Sequence, residues 1–305
     1  MKSYTILILF ITLFTTSALS KEQVGKHQGI IPVWPGEVPL QQDGPHKPEV
    51  WEKWGLINVH NPTLTIYPAP PEIANGLSIL VIPGGGYSKV CINHEGHRVA
   101  NWYNKLGFSA FVLKYRVKYT HPAPLTDAQR AIRYIRYHAE KYNLNPNKIG
   151  VIGFSAGGHL ASTLSVHYDM KTYEPKDAID KVSARPDFSI LIYPVISMKP
   201  GITYGGCRLH LIGKDADENL TDFWSSEKQV DSNTSPAFLV HGTADTAVIP
   251  KNSELYIEAL NKHDVPAQYY PIEGKGHGFG LGYGWFDPCY KWVQNMTGIE
   301  TKSSK

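Results

Sequence analysis

The chain has 305 residues, is 42% apolar and 19% charged, and carries a formal net charge of +3 at pH 7. It is long enough for one large α/β domain or two small ones, and its charge is too balanced to imply a nucleic acid or a membrane surface as partner. Its three cysteines, Cys91, Cys207 and Cys289, exclude a fully paired disulfide framework.

Met1–Ser20 reads as a secretory signal peptide: Lys2 gives a positive start, Tyr4–Phe14 is apolar, and Ala18 and Ser20 are small residues at −3 and −1 of a cleavage point before Lys21. The apolar stretch is too short for a comfortable membrane span, though an uncleaved anchor is the alternative. The mature product is expected to be secreted, periplasmic or extracellular, and off the membrane. Residues 21–50 form a proline-rich arm with Pro32, Pro35, Pro39, Pro45 and Pro48. Proline removes amide donors, so little regular structure is expected there, with Trp34 as an anchor onto the domain. Residues 51–298 read as one catalytic-sized domain and 299–305 as a tail.

Within that domain Thr63–Tyr67 alternates like a half-buried strand, and Leu77–Ile82 is a continuous apolar strand followed by Pro83-Gly84-Gly85-Gly86-Tyr87. Glu95–Leu106 has helical spacing, and Ala110–Tyr115 is a strand. Thr126–Tyr142 repeats Ala128, Ile132, Ile135 and Ala139 on one helical face, with Asp127 in its first turn. Strands follow at Ile149–Ile152, Phe188–Tyr193, Ala237–His241 and Gln268–Ile272, with helices at Ser253–Asn261 and Pro288–Met296. Ser197–Val230 looks irregular, with one short helix. Such alternation predicts a three-layer α/β fold: a mostly parallel central sheet with helices on both faces.

The chemistry concentrates at Gly153-Phe154-Ser155-Ala156-Gly157, a G-x-S-x-G between an apolar strand and a small-residue helical stretch. In that context the pattern forces a tight turn with Ser155 at its tip and the Ala156 amide at a helix N-terminus. A serine hydroxyl needs a base, and the base an orienting carboxylate. Two loops at the C-terminal ends of later strands supply them: Gly242–Asp245 and Glu273–Gly280, giving Asp245 and His277 in the order Ser, Asp, His. Glu273, Asp187, His241 and His159 are weaker competitors. The amides of Gly85, Gly86 and Ala156 are expected to hold an oxyanion. His94-Glu95-Gly96-His97 lacks the i, i+4 histidines of a zinc helix, so no metal and no cofactor are expected. Tyr87, Trp224 and Trp285, with Tyr204 and Tyr283, are aromatics near these motifs and candidate substrate contacts. Asn219, Asn233 and Asn295 stand in N-x-S/T patterns.

Pro83–Tyr87, Gly153–His159, Asp245 and Gly276–Phe279 resemble the α/β-hydrolase superfamily. HEGHRVANW from His94, HPAPLTDAQRAIRYIR from His121, ILIYPVISM from Ile190 and GKGHGFGL from Gly274 are similar to secreted bacterial carbohydrate esterases of the acetylxylan esterase and feruloyl esterase kind. The resemblance implies Ser155 as nucleophile, His277 as base and Asp245 as its acid, with an acylated oligo- or polysaccharide as substrate. One departure is Pro83, where many esterases carry histidine, so the glycine loop needs other side-chain support. A serine peptidase or amidase, and a silent binding protein on the same fold, are the rival readings. Oligomeric state cannot be read from the sequence.

Overall fold

Four neighbouring strands of the central sheet are buried along their whole length, as their largely apolar sequences require. They are β5 (Ser78–Ile82), β7 (Ile149–Phe154), β8 (Phe188–Ile192) and β9 (Ala237–Gly242). The computed structural model describes residues 27–299, so the expected leader and nearly all of the expected tail lie outside the described residues. The remaining strands of the sheet are β1 (Gly29–Pro32), β4 (Thr63–Tyr67), β6 (Ser109–Lys114) and β10 (Ala267–Ile272). The eight run in the order β1-β4-β6-β5-β7-β8-β9-β10. Only the β1–β4 and β4–β6 pairings are antiparallel. A separate hairpin joins β2 (Val50–Glu52) to β3 (Gly55–Ile57).

The helices are α1 (Arg98–Lys105), α2 (Ala123–Tyr137), α3 (Ala156–Val166), α4 (Gly205–Leu211), α5 (Glu218–Phe223), α6 (Lys251–Lys262) and α7 (Phe286–Thr297). Trp102 of α1 packs on Phe286 of α7, with ring centres 3.8 Å apart, while α2 packs on α3. β7 is buried on both faces, so helices must cover both, and the expected three-layer α/β architecture is met. α3 is small and apolar nearly all round, as a helix enclosed by the fold should be.

Several local expectations change. The proline-rich arm contains β1, which adds an edge strand beside β4; Pro32 is tolerated because it ends an edge strand. Trp34 does anchor the arm, its Nε1–H donating to Asp127 Oδ1 at 3.0 Å. α2 begins at Ala123, three residues before Thr126, with Pro122 as its N-cap residue and Pro124 in its first turn. Asp127 is therefore not a first-turn dipole partner. It is a buried carboxylate paired with the equally buried Arg116, whose Nε and Nη2 donate at 2.9 and 2.8 Å. α2 ends at Tyr137 and a 3₁₀ turn covers Glu140–Tyr142. The stretch read as Glu95–Leu106 opens with a π-turn over Asn93–His97 before α1. Residues 197–230 hold two helices, α4 and α5, and a 3₁₀ turn. Cys91, Cys207 and Cys289 are all unpaired and buried.

Candidate active site

Parallel registers bring the chemistry to one rim. Ile82 of β5 lies opposite Gly153 of β7, Phe154 of β7 opposite Ile192 of β8, and Ile272 of β10 opposite Gly242 of β9. The loops leaving these strands carry the glycine turn, Ser155, Asp245 and His277. Ser155 adopts φ 51°, ψ −117°, a conformation that costs on the order of 1–3 kcal/mol and must be held by its surroundings. Its amide donates to Ile192 O at 3.0 Å and its carbonyl accepts from Val195 N–H at 3.1 Å. The flanking glycines are obligatory for close approach: a Cβ on Gly153 would stand 2.2 Å from Gly157 O, and one on Gly157 would stand 2.2 Å from Ile82 O.

His277 lies between the other two side chains. Its Nε2 is 2.9 Å from Ser155 Oγ and its Nδ1 is 2.6 Å from Asp245 Oδ2. With Nδ1–H donating to the carboxylate, Nε2 is left to accept the serine proton. Asp245 Oδ1 accepts the amides of Ala247 and Val248 at 3.0 and 2.9 Å. Burial by itself would raise the Asp245 pKa, but hydrogen bonds from His241, His277 and the Val248 amide outweigh it and hold the carboxyl well below its usual range. It is therefore a fixed anion behind an imidazole whose side chain is 26% exposed.

On the facing side, Gly85 and Gly86 take φ of 129° and 63°. Gly84 N–H donates to Glu95 Oε2 at 2.8 Å, whereas the amides of Gly85, Gly86 and Ala156 have no acceptor among the described residues. Glu95 supplies the support that Pro83 cannot. Its other oxygen accepts from Tyr193 OH at 2.8 Å. The Tyr193 oxygen in turn accepts from Gly280 N–H at 3.2 Å, and its ring stands edge-on to His277 with centres 4.7 Å apart. Glu95 and Tyr193 thus tie the glycine turn to the histidine loop. The sequence placed Glu95 near the glycine turn but gave Tyr193 no sign beyond the end of an apolar strand.

The competitors are committed elsewhere. His241 is buried, with Nε2–H donating to Val248 O at 2.8 Å and also lying 3.4 Å from Asp245 Oδ2, and Nδ1 accepting from Ser253. Asp187 holds Arg136 and the Ile149 amide at the start of β7, the opposite rim. Glu273 is exposed just past β10. His159 is fully buried between Tyr87 OH and Trp224 O, each 2.9 Å away. In the segment read for a metal, His97 turns to Tyr67 OH at 2.9 Å. Cys91, His94 and Glu95 instead place one ligand atom each within 4.8 Å of one another and could hold a cation. The Cys91 thiol is pushed up to about 12 by burial and then by Glu95, and both Glu95 oxygens already accept hydrogen bonds, so a cation there would have to displace a proton and share the carboxylate.

Three expected sugar contacts are corrected. Tyr87 and Trp285 are fully buried and Trp224 is 5% exposed. Tyr87 bonds His159, Trp224 stacks on His121 with ring centres 4.0 Å apart, and Trp285 packs on Phe286. None can present a face to a ligand. The cleft beside Ser155 has a volume of about 580 Å³, and its aromatic lining is Trp54 and Tyr204. Trp54 had not been singled out, because a tryptophan in a short polar hairpin carries no periodic signal. Tyr283 is exposed but does not line this cleft.

The family model BD-FAE matches residues 64–260. The endo-1,4-beta-xylanase B of Butyrivibrio fibrisolvens is 38% identical over 229 residues, covering 72% of this chain and 35% of that protein. An acetylxylan esterase of Xylanibacter ruminicola is 34% identical over 71% of this chain and 43% of its own length. The chain therefore matches less than half the length of these two relatives. A solved structure described as an acetyl ester-xyloside bifunctional hydrolase from Caldicellulosiruptor lactoaceticus superposes with a TM-score of 0.78 at 39% identity, covering 89% of this chain and 97% of that one.

Proposed function

Since the chain belongs to the BD-FAE family of the α/β-hydrolase superfamily, we propose that it is a serine esterase that removes acyl groups, acetyl foremost, from a carbohydrate such as xylan. The observation that carries this reading is the unbroken relay from Asp245 through His277 to Ser155, with bonds of 2.6 and 2.9 Å, opening on a cleft.

In this mechanism His277 Nε2 takes the Ser155 proton as Oγ attacks the acyl carbonyl. Negative charge grows on the carbonyl oxygen, where the amides of Gly85, Gly86 and Ala156 receive it. The Asp245 carboxylate stabilises the imidazolium and keeps its tautomer. The sugar hydroxyl leaves with the proton from His277, and a water activated by the same imidazole releases the acid from the acyl-enzyme. The substrate is an acylated oligo- or polysaccharide, met after secretion directed by the leader. Among the described residues no helix is long and apolar enough to cross a membrane.

Two relatives carry xylanase or xyloside names, which raises glycosidic cleavage as a second activity. That chemistry ordinarily needs two carboxyl groups flanking the bond. Glu95 is the one carboxylate among the described residues lining the cleft, and it is engaged with Gly84 and Tyr193. We therefore assign ester cleavage to this cleft and no glycosidic step. The test is turnover of an acetylated xylo-oligosaccharide by the parent and by Ser155→Ala, beside unacetylated xylobiose. The expected result is acetate release that falls by about 10⁴-fold or more in the variant, and no xylose from xylobiose. Undiminished acetate release by the variant would overturn the serine mechanism.

A further inference from the structure

The cleft is larger than an acyl group requires. At about 580 Å³ it falls within the roughly 300–1,000 Å³ of sites that enclose drug-sized ligands, of which an acetyl group is a small part. Four of the seven tryptophans, Trp34, Trp224, Trp285 and Trp292, are buried, and Trp102 is partly buried against the core. The two left in solvent, Trp51 and Trp54, both lie on the β2–β3 hairpin, 57% and 62% exposed. Of these, Trp54 lines the cleft, as does Tyr204, itself 42% exposed.

Tyr204 adjoins the turn that carries the oxyanion amides, and Trp54 lines the same cleft. A Cβ on Gly86 would stand 3.2 Å from Tyr204 Cε1, so the phenol ring borders that glycine directly. The hairpin is joined to the same loop: Leu56 and Val90 exchange amide hydrogen bonds of 3.0 and 2.8 Å, Glu52 pairs with Lys89 at 2.7 Å, and the Lys89 amide donates to Gly85 O. Trp54 is thus carried by an element attached to the reacting end of the cleft. The same cleft also carries the polar side chains of Ser88, Lys89 and His94. Flat apolar faces beside hydroxyl-matching donors and acceptors fit a sugar ring, which has an apolar C–H face and a polar edge.

Building on the esterase reading, we propose that Trp54 and Tyr204 form a sugar-binding subsite that holds a pyranose ring of the acylated carbohydrate while its ester lies at Ser155. Contacts made by this remote ring contribute at the ester only when the substrate has a sugar to offer. The test compares Trp54→Ala and Tyr204→Ala with the parent on an acetylated xylo-oligosaccharide and on 4-nitrophenyl acetate. Trp51→Ala, which removes an indole outside the cleft, is the control. The expected result is a loss of about tenfold or more in kcat/KM on the oligosaccharide for Trp54→Ala and a smaller loss for Tyr204→Ala, each several-fold greater than the same variant's loss on 4-nitrophenyl acetate. The control should match the parent on both. Equal losses on both substrates, or none on the oligosaccharide, would overturn the subsite. Titration with xylotetraose, followed by tryptophan fluorescence, reads the subsite without turnover. A saturable change that disappears in Trp54→Ala supports it, and no saturable change in the parent overturns it. Failure of the parent on both esters would instead strike the esterase reading, leaving the titration to decide the subsite.

Discussion

His277 and His159 each make hydrogen bonds at both ring nitrogens, and the two sites use an imidazole for opposite ends. His277 sits between a carboxylate and a hydroxyl at the edge of a cleft. His159 sits between a phenol and a backbone carbonyl in the interior, with no exposed surface. Its Nε2–H must donate to the carbonyl, so Nδ1 accepts from Tyr87 and one neutral tautomer satisfies both partners. Burial lowers its pKa to about 4, and the ring works as a fixed strut behind the glycine turn. The comparison teaches that residue type alone does not separate the base proposed for ester cleavage from a structural imidazole. What separates them is partner charge and access: an anion on one side and a reactive hydroxyl open to solvent on the other.

The sharpest way to break this contrast is to remove each ring in turn. His277→Ala should lower kcat on an acetyl ester by about 10⁴-fold while leaving the urea unfolding midpoint near that of the parent. His159→Leu should do the reverse. It strands the Tyr87 hydroxyl and the Trp224 carbonyl, costing about 2–3 kcal/mol of stability, while turnover per folded molecule stays within about threefold. A His159→Leu protein that is stable but inactive would erase the distinction.

A smaller effect sharpens it further through pH. A free imidazole titrates at 6.5, whereas His159 in the folded chain titrates at about 4. Between these values the unfolded chain binds a proton that the folded chain refuses, so stability falls as pH drops through that window, by about 3 kcal/mol in all for this ring. His121, likewise buried and lowered, acts with the same sign. The depressed Asp245 carboxyl contributes stability above the ordinary carboxylate range and loses it only at still lower pH. Unfolding free energies measured from pH 7 to pH 4 should decline in the parent and decline less steeply in His159→Leu. Parallel slopes in the two proteins would show that His159 is not the titrating group.

The strands and the relay were legible for a common reason. Unbroken apolar runs at Leu77–Ile82, Ile149–Ile152 and Phe188–Tyr193 can be satisfied only inside a covered parallel sheet, and such a sheet delivers the loops after its strands to one rim. Once Ser155 stood after β7, Asp245 after β9 and His277 after β10, the topology brought them together without further information. The aromatic lining was legible only at Tyr204. Tyr87 follows directly on the glycines as a candidate sugar contact, yet its hydroxyl is needed by His159, a partner 72 residues away. Trp54 lies in a hairpin whose place is set by Val90 and Lys89, contacts no local pattern encodes. Asp127 shows the same limit: helical periodicity placed it on α2, but only the buried Arg116 and Trp34 explain why a carboxylate stands there.

The relay amounts to a claim that one particular oxygen becomes acylated. Intact-protein mass spectrometry after rapid acid quench of turnover on 4-nitrophenyl acetate tests it most directly. The account predicts an adduct of one acetyl group that maps to the peptide containing Ser155 and is absent from Ser155→Ala. Steady hydrolysis with no adduct, the variant turning over as fast as the parent, would contradict it.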